Sequence, residues 1–140
     1  MCQDDDFYTL RGYDRQETRG ISPTMEDYLE MICRCAQQDE YVRVNLLAAK
    51  LHVTPPSSSK MVHKLKEEGM VQFEPYGIVQ LTEKGWKMGN YLLYRHDVLH
   101  RFFCFVNHSD NELELVERIE HFIDEDTVRN IESLLHRNQR

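Results

Sequence analysis

The strongest constraint on the fold is a short helix marked at both ends and entered through a two-residue turn. Thr54 can accept an N-cap hydrogen bond, and Pro55 stands at the first helical position, where its missing N–H costs nothing. Gly69 lies just past the far end, where a left-handed cap is wanted. Between them Ser58, Met61, Val62 and Leu65 form an inner stripe, while Ser57, Lys60 and Lys64 point the other way. Only His52 and Val53 separate this helix from a preceding one over Val44 to Leu51, and so short a connection forces the two helices to cross rather than run on.

The flanking sequence extends the pattern. Pro23 and Thr24 open an earlier helix in which Met25, Leu29, Ile32, Cys33 and Ala36 recur at helical spacing, followed by a loop at Gln37 to Glu40 and an extended piece at Tyr41-Val42. Val71 to Glu74 and Ile78 to Leu81 are β-rich runs joined by Pro75-Tyr76-Gly77, a hairpin signal. Thr82-Glu83 starts a long helix to about Phe105. Ser109-Asp110-Asn111-Glu112 reads as a capping box that opens the next helix to about Ile123. Asp124 caps a last helix whose inner side is Val128, Ile131, Leu134 and Leu135. The expected fold is mainly α with a small β-hairpin: a flexible extension over residues 1–22, a winged helix-turn-helix over 23–81, and an all-helical domain over 82–140.

Charge looks at first opposed to a nucleic-acid partner, because the 140-residue chain carries a formal net charge of −7. The distribution matters more than the total. Residues 40–96 hold eight Lys or Arg against five Glu, a balance of +3, whereas residues 20–39 stand at −3 and residues 97–140 at −5. The basic segment is the one with the helix-turn-helix. A major-groove helix there would offer Thr54, Pro56, Ser57 and Ser59 near its start and Lys60 and Lys64 behind them, with Arg43 and Tyr76 as backbone contacts. It has no Arg or Asn for a bidentate base contact, so shape and apolar contacts are expected to share in the readout. No apolar run approaches the roughly 20 residues of a membrane span, and Met1 to Asp6 is acidic, unlike a secretory signal. The four cysteines lack zinc-site spacing and are too few for a disulfide scaffold. Cys33 and Cys35, two apart on a helix, face different ways and are expected to pack. A cytoplasmic setting is expected.

The acidic flanks hold ligand-type side chains on separate helices. Asp27 and Glu30 are three apart and share a face; Glu117, Glu120 and His121 are spaced i, i+3, i+4; His96 lies within the long helix, with His100 one turn on as a decoy. If these faces meet, they gather four carboxylates and two imidazoles without a thiolate, a donor set for harder divalent ions such as Mn(II) or Fe(II). Such a cluster without a cation repels itself.

Four segments, Met25-Glu26-Asp27-Tyr28-Leu29-Glu30, Ser59-Lys60-Met61-Val62, Leu93-Tyr94-Arg95-His96 and Glu117-Arg118-Ile119-Glu120-His121, together resemble the diphtheria-toxin-repressor family of metal-dependent regulators, in its manganese-transport branch, over about residues 22–137. The resemblance implies that Asp27, Glu30, His96, Glu117, Glu120 and His121 are the ligands of a two-manganese site, with Fe(II) and other divalent ions as alternatives. Carboxylates at 27 and 120, where the iron-sensing branch has Met and Cys, favour manganese. It also implies a homodimer formed through the helical domain that binds double-stranded operator DNA and represses metal-uptake genes when loaded, with no membrane and no organic substrate. No SH3-like third domain is expected. The extension before residue 22, the Pro55-Pro56 pair and a Ser at 58, where an apolar residue is expected, depart from the family pattern. Two other classes fit parts of the sequence. A carboxylate-bridged di-metal enzyme calls for Glu-x-x-His on two helices, whereas here Glu117 is followed by Glu120-His121 once only. A metal-independent winged-helix regulator would leave the acids as surface charge.

Overall fold

A computed structural model of the chain describes residues 20–74 and 77–138. The expected extension, apart from residues 20–22, and the hairpin-tip Tyr76 lie outside the described residues. The helices are α1 (Pro23–Gln37), α2 (Val44–Leu51), α3 (Pro55–Glu67), α4 (Glu83–Asn107), α5 (Leu113–Ile119) and α6 (Glu125–Asn138), with strands β1 (Val71–Gln72) and β2 (Gln80–Leu81) between α3 and α4. A single 3₁₀ turn, Glu120–Phe122, follows α5.

Local chemistry accounts for the helix ends. Ser22 Oγ accepts from the Met25 N–H at 3.2 Å at the start of α1, and Thr54 Oγ1 accepts from the Ser57 N–H at 3.3 Å at the start of α3. Gly69 sits at φ +76° after α3, a conformation that costs glycine least. Asp124 Oδ1 accepts from the Thr127 N–H at 2.8 Å and caps α6 as expected.

Five expectations need correction. The hairpin ladder holds only two pairs, Val71 with Leu81 and Gln72 with Gln80. It stops there because the Val79 N–H leaves the hairpin and donates to the Val42 carbonyl at 2.7 Å, tying the α1–α2 loop to the wing. The long helix runs to Asn107, and the capping box does not form. Ser109 Oγ donates to Glu112 Oε1 at 2.7 Å rather than capping a backbone amide, and the Glu112 N–H is taken by His100 Nε2 at 3.2 Å, so α5 starts at Leu113. The α5 helix also tightens into the 3₁₀ turn at Glu120 instead of continuing to Ile123. On α6, Val128 and Leu135 are buried, but Leu134 is 39% exposed. The 100° step per residue that seats Leu135 under Val128 turns its neighbour outward.

The core lies where α1, α3, the hairpin and α4 meet. Leu29, Ile32, Leu47, Val62, Leu65 and Leu92 have almost no exposed surface, and each such side chain contributes about 1.5–3 kcal/mol by leaving water. Helix α1 is the hinge of the arrangement, because it also packs along α4. Gly89 permits that approach: a Cβ there would stand 2.9 Å from Cys33 Cβ, so the closely packed interface would have to shift. Cys33 and Cys35 are both buried, so each packs as expected, and Cys33 Sγ reaches Asn90 Oδ1 at 3.7 Å. The close α1–α4 contact carries Glu30 to His96.

Candidate metal centre and nucleic-acid face

The ligand-type side chains expected from the sequence converge between α1, α4 and the α5–3₁₀ junction. One group comprises Glu30, His96, Glu117 and Glu120, and a second comprises Asp27, Glu120 and His121; within each, one donor atom per residue lies within 4.8 Å of the others. Glu120 belongs to both. His96 Nδ1 is 3.0 Å from Glu120 Oε2, 3.7 Å from Glu30 Oε1 and 3.8 Å from Glu117 Oε1. His121 Nε2 is 3.0 Å from Asp27 Oδ1, an ion-pair distance. His100 stays out of both groups; its ring accepts from the α5 entry and touches Cys104.

The secondary structure explains the convergence. An i, i+3 pair on α1 sets Asp27 and Glu30 on one face. At the end of α5, the switch to 3₁₀ geometry turns Glu120 inward, to 1% side-chain exposure, while Glu117 remains 55% exposed at the mouth. Sequence spacing places Glu117, Glu120 and His121 on one continuous helix; with the tighter turn, Glu117 falls in the first donor group, His121 in the second beside Asp27, and Glu120 in both.

Electrostatics show a cluster short of positive charge. Burial, and then the Glu120 carboxylate, push the Glu30 carboxyl above its ordinary range, against the pull of His96 and Arg34. The Glu117 carboxyl is raised by the same two causes. His96 is raised chiefly by its hydrogen bond to Glu120. His121 is pushed up to about 10 by Asp27 and Glu26. Among the described residues, two buried carboxylate oxygens, Asp27 Oδ1 and Glu120 Oε1, have no hydrogen-bond partner. Orphaned acceptors in a buried, oxygen-rich, thiolate-free cluster fit a hard divalent cation.

Three residues were not singled out as functional from sequence. Glu26 Oε1 pairs with His121 Nδ1 at 2.8 Å and with Arg95 Nη2 at 3.4 Å, and Arg34 Nη2 pairs with Glu30 Oε1 at 3.2 Å. Glu26 stands beside Asp27 in the first of the quoted segments and Arg95 beside His96 in the third, so adjacency to a ligand was the available signal. Only tertiary packing shows that Glu26 faces His121.

On the other half, Thr54, Pro56, Ser57, Lys60 and Lys64 are exposed on α3, and Ser59 is half-buried. Thr54 and Ser57 also hydrogen-bond each other through their hydroxyls at 2.9 Å, part of the N-cap. Arg43 precedes α2 and, with Pro55, Ser59, His63 and Phe73, lines a groove between the helix-turn-helix and the wing. Lys66 is not free on the surface, since its Nζ donates to the Phe73 carbonyl at 2.9 Å and braces α3 against the wing. Ser58, where an apolar side chain was expected, is fully buried and donates to the Val44 carbonyl at 3.0 Å, so the hydroxyl locks α3 onto α2.

Known proteins resemble this chain in sequence and fold. Residues 20–79 match the family model of the iron dependent repressor N-terminal DNA binding domain, and residues 82–140 that of the iron dependent repressor metal binding and dimerisation domain. The HTH-type transcriptional regulator MntR of Shouchella clausii is 39% identical over 115 residues, covering 81% of this chain and 80% of that protein. The MntR of Oceanobacillus iheyensis is 36% identical over 115 residues, covering 81% and 78%. The solved structure of the manganese regulator SloR superposes with a TM-score of 0.72 at 27% identity; it covers 83% of this chain, which spans only 55% of that protein.

Proposed function

Since this chain belongs to the iron dependent repressor family, we propose that it is a manganese-responsive DNA-binding repressor of metal-uptake genes, acting in the cytoplasm as a homodimer on double-stranded operator DNA. Metal-dependent transcriptional regulation is the coarser reading, and relatives named as regulators rather than enzymes support it. No helix among the described residues is long and apolar enough to cross a membrane. The division at residues 81 and 82 into a DNA-binding and a dimerisation unit is part of the same proposal.

The observation that carries the reading is the shared, buried Glu120 between two donor groups. It supports two divalent ions per chain, with Glu30, His96, Glu117 and Glu120 serving one and Asp27, Glu120 and His121 the other. Bound ions supply the positive charge that the cluster lacks. Asp27 and Glu30 ride on α1, which packs on the helix-turn-helix; Glu117, Glu120 and His121 ride on the α5–3₁₀ junction. Drawing those carboxylates together fixes α1 against the dimerisation half and so sets the spacing of the two recognition helices in a dimer. Thr54, Pro56, Ser57 and Ser59 then present the start of α3 to the groove, and Arg43, Lys60, Lys64 and Tyr76 meet phosphate.

A duplex selected from a random-sequence pool in Mn(II) and titrated by fluorescence anisotropy tests this. Mn(II) is expected to tighten binding by about 5- to 150-fold, the usual range of allosteric coupling. Equal affinity with and without Mn(II) would return the chain to a metal-independent winged-helix regulator.

A further inference from the structure

Glu26 stands outside both donor groups, yet it is the residue that most constrains one of their members. Its Oε1 lies 2.8 Å from His121 Nδ1. The opposite nitrogen of the same ring, Nε2, faces Asp27 Oδ1 at 3.0 Å. A third group reaches the ring as well: Arg95 Nη2 is 3.4 Å from His121 Nδ1 and 3.4 Å from Glu26 Oε1. Glu26 and His121 are 16% and 8% exposed in their side chains, and Arg95 5%, so water competes little for these contacts.

A neutral imidazole carries one proton, and its neighbours decide which nitrogen holds it. The two neighbours of Nδ1 pull in opposite directions. A guanidinium only donates, so Arg95 favours a lone pair on Nδ1, which leaves the proton on Nε2 and blocks the nitrogen that faces Asp27 and Glu120. A carboxylate only accepts, so Glu26 favours N–H on Nδ1 and leaves the Nε2 lone pair aimed into the donor group. Glu26 is the nearer of the two, and it engages the same Arg95 nitrogen.

We propose that Glu26 is a positioning residue: it holds His121 in the Nδ1–H tautomer and fixes the ring so that Nε2 serves as the ligand, while Arg95 anchors the Glu26 carboxylate. The inference rests on the metal-binding reading above. It adds a function for α1, which then supplies Asp27 to the ligand set and Glu26 to the orientation of the ligand opposite. The Glu26–His121 hydrogen bond is also a contact between the two halves of the chain that needs no ion.

The test compares the full chain with Glu26→Leu, which keeps bulk but has no acceptor, and Glu26→Gln, which keeps a carbonyl acceptor. Mn(II) affinity is measured by calorimetric titration, the visible absorption of Co(II) is recorded at saturation, and circular dichroism checks the fold. Glu26→Leu is expected to weaken Mn(II) binding by about 10- to 100-fold, the usual effect of removing a hydrogen-bond partner behind a metal-bound histidine. It should also shift the Co(II) bands, and Glu26→Gln should recover most of the affinity and the original spectrum. Wild-type Mn(II) affinity in Glu26→Leu overturns this inference alone, as does a loss with unchanged Co(II) bands that Gln does not rescue. A wild-type chain that takes up no Mn(II) overturns the metal reading and this inference with it.

Discussion

The recognition helix meets its polar groups from within the chain, whereas the acid cluster does not. Around α3 the N-cap is filled by Thr54, the buried Ser58 hydroxyl is paired with Val44, Lys66 braces the wing, and Gly69 supplies the left-handed exit. Between α1 and the α5–3₁₀ junction, Asp27 and Glu120 each keep a buried oxygen with no hydrogen-bond partner among the described residues, and the Glu30 and Glu117 carboxyls are pushed up by burial and by Glu120. The contrast teaches that a cation has nothing to build in the reading head. On the proposed function, its effect falls on the relation between the halves.

The largest expected effect is at Glu120. Glu120→Gln removes the charge common to both donor groups while keeping the volume. It should abolish the rise in melting temperature that Mn(II) gives the wild type, worth about 2.7 kcal/mol at a hundredfold excess over Kd. Differential scanning calorimetry with and without Mn(II) reads both quantities. The ion-free variant loses a repulsive carboxylate and, with it, the charge of the His96–Glu120 pair, so the Mn(II) shift is read against the variant's own ion-free melting temperature. A retained Mn(II) shift would show that the shared carboxylate does not hold the ion.

Next comes pH. His121 is raised to about 10, above its ordinary 6.5, so its ionic contacts stabilise the ion-free fold fully below pH 6.5 and fade as the pH rises toward 10. Mn(II) needs the unprotonated ring and competes with fewer protons over the same window. Calorimetric affinity should therefore tighten with rising pH, by about tenfold per unit for each proton displaced. A flat profile between pH 6.5 and 8.5 would remove the histidines from the ligand set.

On the reading head the effects are smaller and should leave the metal response intact. Lys60→Ala should lower the slope of log affinity against log salt by about 1, measured by anisotropy over a salt series, with the Mn(II) enhancement unchanged. Thr54→Ala removes the α3 cap and should cost about 1 kcal/mol of stability in urea unfolding, with Mn(II) affinity as in the wild type. Loss of metal affinity in either variant would break the separation between the two regions.

The same contrast governs how much the sequence disclosed. Thr54, Pro55 and Gly69 act through neighbours three or four residues away, so the ends of α3 were legible in the sequence. The hairpin was legible as a hairpin but too long, because the Val79 amide pairs with Val42, a contact no local pattern records. The candidate ligand residues were legible as a pair, a triplet and a lone histidine on three helices, and were joined by family resemblance. Their division into two groups sharing Glu120 depends on the 3₁₀ turn, and Glu26 became visible only once α1 was packed against that turn.

Reciprocity gives the most direct test of the central claim. If ligands on α1 and on the α5–3₁₀ junction couple metal to DNA through one shared arrangement, DNA must tighten Mn(II) binding by the same factor by which Mn(II) tightens DNA binding. Calorimetric Mn(II) affinity of the free chain and of the chain saturated with its selected duplex reads that factor. The account predicts equal enhancements in both directions, and a Mn(II) affinity indifferent to bound DNA would contradict it.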